Sequence, residues 1–100
     1  MKKLGLFFSL AVATALAGDY TGYISESKCG AKHASASAGD VACVKGCIKG
    51  GAKPVFVADG KVVAITNTDK VPEALYGQKV KVSGELKGDA LTIAGIEAAK

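Results

Sequence analysis

The sequence predicts a mainly β fold: five short strands and one short helix, wrapped into a small, partly open barrel. Three observations predict it. Polar and apolar residues alternate with a period of two over much of the chain after Gly18. Turn residues, Asp59-Gly60 and Lys87-Gly88-Asp89, separate the alternating runs. Only one clear segment, Val41 to Lys49, changes to helical spacing. Antiparallel strands leave unpaired edges, and a small barrel closes them.

The elements follow in order. Lys2 and Lys3, the apolar run Leu4 to Ala13 and Ala15-Leu16-Ala17 form the pattern of a secretory signal peptide, residues 1–17. The run is too short for a membrane span. The product, residues 18–100, is expected to be one exported domain, periplasmic or secreted, with no membrane attachment after cleavage.

Gly18 to Ser27 reads as the first strand, with Tyr20, Gly22 and Ile24 on one face and Thr21, Tyr23 and Ser25 on the other. Cys29-Gly30 turns the chain. Ala31 to Gly39, rich in Ala, Ser and Gly, reads as a mobile loop. Asp40 is the expected N-cap of a helix over Val41 to Lys49, stopped by Gly50-Gly51. Pro54 to Ala58 and Lys61 to Thr66 form a hairpin about Asp59-Gly60. Asn67 to Lys70 reads as a polar loop, and Val71 to Tyr76 as one helical turn closed by Gly77. Lys79 to Leu86 and a strand through Leu91 and Ile93 form the last hairpin.

That last hairpin, QKVKVSGELKGDALTIAGI, resembles the fourth and fifth strands of an OB-fold. One feature departs from that family. The helix falls between strands one and two, whereas an OB-fold places its helix between strands three and four. Over a longer stretch, GYISESKCGAKH, CVKGCIKGGAKPVFV and DGKVVAI resemble a group of small exported bacterial proteins of unassigned function. The resemblance carries over no activity. It implies that the Cys/His arrangement belongs to a recurring scaffold.

From Gly18 onward, 11 lysines face nine acidic residues, a net charge of +2 with His neutral. No basic stripe stands out, so nucleic acid is not an expected partner. A domain of 83 residues has a marginal core and often needs a disulfide, a metal or a partner subunit.

Cys29, His33, Cys43 and Cys47 are all the cysteines and the only histidine, within 19 consecutive residues. Three Cys and one His make a full tetrahedral set for zinc, with copper(I) as the rival ion. Cys43 and Cys47 sit four apart on the helix, with Cβ atoms about 5–6 Å from each other on one face. Cys29 and His33 repeat that spacing on the preceding turn. A disulfide is the alternative, because exported cysteines are usually paired. It needs Cβ atoms about 3.8 Å apart, which disfavours Cys43–Cys47 and leaves Cys29 with Cys43 or Cys47. Such a bridge is worth about 3 kcal/mol and leaves one thiol over. A third reading is thiol-redox chemistry at Cys43, placed in the first helical turn if the helix starts at Asp40.

No catalytic set stands out otherwise. The carboxylates, Glu26 among them, are mostly assigned to turns or exposed strand positions. Tyr20, Tyr23, Phe56 and Tyr76 could contact a protein or small-molecule partner, although Phe56 in V-F-V reads as core. The sequence thus favours a non-enzymatic metal-binding or metal-stabilised module. A disulfide-stapled interaction domain and a small redox protein remain alternatives.

Overall fold

The structure, a computed structural model, describes residues 16–33, 35 and 37–99. Residues 1–15 of the expected leader lie outside the described residues. Five strands carry the fold: β1 (Leu16–Glu26), β2 (Pro54–Ala58), β3 (Lys61–Ile65), β4 (Lys79–Lys87) and β5 (Ala90–Ala98). They close into a barrel in the order β1-β2-β3-β5-β4. Every neighbouring pair is antiparallel except β3–β5, a parallel seam of two residue pairs, Ala64–Ala90 and Ile65–Leu91. Such a short seam makes this the weakest closure of the barrel. The chain reinforces it beyond the strands. Thr66 N–H donates to Leu91 O at 2.9 Å, and the Asn67 side chain clamps Ile93 from both sides. Asn67 Nδ2 donates to Ile93 O at 2.8 Å, while Ile93 N–H donates to Asn67 Oδ1 at 2.9 Å.

β1 is long because it serves two neighbours. Leu16 to Tyr23 pair with β4, and Tyr23 to Glu26 pair with β2. Beside this exchange, at Gly22, β2 approaches β1 closely. A Cβ there would lie 2.3 Å from Val57 O and 2.8 Å from the Phe56 ring. β5 carries a bulge: Ser83 faces Gly95 and Gly84 faces Ile93, which leaves Ala94 as the extra residue. Bulges sharpen strand curvature, as a barrel this small requires. The expected alternation holds inside. Ile24, Phe56, Val63, Ile65, Val80, Val82, Leu91 and Ile93 are buried in one core, with Tyr20 packed against it.

The helix α1 (Ala38–Lys49) lies between β1 and β2, so the departure from the usual OB-fold order stands. Two short 3₁₀ turns, Thr68–Lys70 and Glu73–Leu75, lie between β3 and β4 instead. The first replaces the polar loop expected at 67–70. Three further details differ from expectation. The strand starts at Leu16, two residues inside the expected leader. The loop 31–39 is shorter than expected, because a 3₁₀ turn takes Gly30–His33 and α1 begins at Ala38. The N-cap is Ser37: its Oγ accepts Asp40 N–H at 3.1 Å. Asp40 lies inside the first turn, where its charge favours the helix dipole, and Ser35 Oγ donates to it.

Candidate functional site

The site grows from the end of β1. Glu26 is fully buried. Its carboxylate folds over the next turn and accepts two backbone donors, Lys28 N–H at 2.6 Å and Cys29 N–H at 2.7 Å. A buried carboxylate is costly unless it is well satisfied, and these bonds satisfy one oxygen each. Ser25, also fully buried, donates from Oγ to Gly30 O at 2.5 Å. Gly30 takes φ +56°, which a glycine adopts without cost. The turn carrying Cys29 is therefore fixed by side chains on both sides.

A reciprocal pair fixes the turn to the other side of the site. Ser27 N–H donates to Lys53 O at 2.9 Å, and Lys53 N–H donates to Ser27 Oγ at 3.0 Å. The segment leaving α1 is thus tied to the segment entering it.

α1 is docked by its apolar stripe. Val44 is fully buried, while Val41 and Ile48 are half-buried. Val41 meets Gly77, where a Cβ would lie 2.6 Å from Val41 Cα. Gly77 has φ +79° and donates its N–H to Ile24 O at 2.8 Å, which joins the helix contact to β1. The helix ends as expected. Gly50 and Ala52 N–H groups both bond to Cys47 O, and Gly51 takes φ +114°.

These elements enclose a cleft of about 520 Å³ lined by Ser27, Lys28, Gly46, Cys47, Gly50, Gly51 and Ala52. Most of its wall lacks a long side chain, so Cys47 and Lys28 supply most of its chemistry. Cys47 and Cys29 are half-buried, and Cys43 is exposed one turn earlier on α1. Both helical cysteines lie within α1 at the spacing that puts them on one face. No disulfide joins the three. Among the described residues no three His, Cys, Asp or Glu side chains gather closely enough to hold an ion. His33 closes the 3₁₀ turn with its backbone, and its side chain lies outside what is described.

Two expectations are corrected here. Glu26 is not an exposed or turn-surface carboxylate: it is the buried clamp of the cysteine turn. Cys43 is not in the first turn of the helix, because α1 starts five residues before it, at Ala38. The dipole argument for an activated Cys43 thiolate therefore loses its geometry, since that effect falls off within the first turn. The sequence around Glu26 carries a signal for this clamp. A carboxylate at the end of an alternating strand, just before S-K-C-G, can reach the exposed N–H groups of that turn.

Compared with known proteins, the chain matches no family model, no curated protein and no solved structure.

Proposed function

We propose that the chain is an exported, non-enzymatic metal-binding module. Its barrel is the scaffold, and Cys29, Cys43, Cys47 and His33 hold a thiophilic ion on the flank of α1. Zinc is the first choice and copper(I) the rival. The observation that carries this reading is the shared cleft. Cys47 lines it from the helix, and Ser27 and Lys28 line it from the turn that runs directly into Cys29. Cys43 follows on the same helical flank. Closing the site requires a local rearrangement that brings the α1 cysteines closer to Cys29 on the turn that Glu26 holds. Ion binding then adds to the stability of the fold, as in other small metal modules.

The same cleft favours a second reading, a Cys29–Cys47 disulfide that joins β1 to α1 and leaves Cys43 as a thiol. Intact mass under native and denaturing conditions, with a thiol count, separates the two. One bound ion and three titratable thiols after denaturation support the metal module. A loss of two mass units with one titratable thiol supports the bridge and removes the metal reading. His33→Ala then tests the fourth ligand: weakened ion binding keeps it, and unchanged binding removes it.

A further inference from the structure

The barrel has a second opening, at the end away from α1. Along β1 and β4, Gly22–Val80 lies toward the helix side and Leu16–Leu86 toward the opposite end. There a pocket of about 330 Å³ is lined by Tyr20, Phe56, Ala58, Val63, Leu86 and Leu91, with Asp59 and Lys61 also on its wall. All five strands contribute to it. Its size is at the low end for small-molecule sites, which run about 300–1,000 Å³ and combine apolar walls with a few polar anchors.

We propose that this mouth binds a free α-amino acid with a large apolar side chain. The side chain would enter between Phe56, Val63, Leu86 and Leu91. The ligand's ammonium would meet the Asp59 carboxylate, and its carboxylate the Lys61 ammonium. The charge pattern selects this class. The rim holds one acid and one base, so neither a simple anion nor a simple cation is matched, whereas a zwitterion matches both. The hairpin turn also places the two residues that carry these charges two positions apart on the same rim. Asp59 at φ 52° and Gly60 at φ +75° give the tight two-residue turn, and Ala58 pairs with Lys61 directly across it. Electrostatic matching of this kind supplies specificity, and the apolar wall supplies most of the affinity.

The test uses the purified full-length chain and amide-resolved NMR titration with phenylalanine, N-acetylphenylalanine and phenylalaninamide. Phenylalanine is expected to give saturable shifts at Tyr20, Phe56, Leu86 and Leu91. Each blocked form is expected to bind about tenfold more weakly, a loss of about 1.4 kcal/mol. Lys61→Ala, at an exposed position, should remove the preference over phenylalaninamide and keep the preference over the N-acetyl form. Equal binding of all three probes would overturn the proposal by reducing the mouth to an apolar hole. Absence of saturable shifts at the mouth, or shifts confined to the Cys47 cleft, would also overturn it.

Discussion

At the scale of single residues, two positions bear disproportionate weight. Glu26 spends its buried carboxylate entirely on the turn that presents Cys29. Glu26→Ala removes both acceptors and is expected to cost about 2–3 kcal/mol in denaturant unfolding. Glu26→Gln is nearly isosteric, yet it sets an amide N–H₂ against one of the two backbone donors. It should therefore also destabilise, and an unchanged midpoint would show that the two bonds contribute little. Gly22 is the second position. Val57 O lies where a Cβ would be, so Gly22→Ala should cost about 2–3 kcal/mol through a forced shift of β1 against β2. Gly46, with nothing near its absent Cβ, is the control: Gly46→Ala should stabilise α1 by up to about 1 kcal/mol. The need for Gly22 was only half legible in the sequence. Alternation placed it on one face with Tyr20 and Ile24, but the close approach of β2 depends on a strand pairing that no local pattern reveals.

At the scale of elements, α1 has the most to teach. Its helical spacing, its stop at Gly50-Gly51 and the shared face of both cysteines are local signals. Its start is not legible in this way, because two good capping residues compete three positions apart. Ser37 wins by placing Asp40 inside the first turn, where the acid helps the dipole as well. Ser37→Ala is expected to cost about 1 kcal/mol, and Asp40→Ala less, in a thermal melt where 1 kcal/mol moves Tm by about 4–8 °C. The reverse order would reassign the cap. The strands were legible for a related reason. A period of two and an Asp-Gly turn are local signals, and β2, β3 and their hairpin appear within a residue of where those signals put them. The Asn67 clamp was not legible, since its partner Ile93 is 26 residues away.

At the scale of the whole molecule, a closed barrel with a helix on its flank presents, among its clefts, a thiol cleft beside α1 and an apolar mouth lined by all five strands. The mainly β class and the number of strands could be read from the sequence. The parallel β3–β5 seam could not, because its pairing is short and joins segments far apart in the chain. The cysteine cluster was visible as a sequence cluster, but convergence depends on how the Glu26 turn meets the helix. If an ion completes that meeting, the whole domain should gain stability with ion concentration, by about 2.7 kcal/mol at one hundred times Kd. Urea unfolding with and without zinc checks this, and Cys47→Ser should abolish the gain. The most direct measurement is X-ray absorption at the edge of the bound metal, which counts ligand atoms by type. Three sulfurs at about 2.3 Å with one lighter nitrogen ligand are expected for zinc. A shell of oxygen and nitrogen with one sulfur or none would contradict the metal centre.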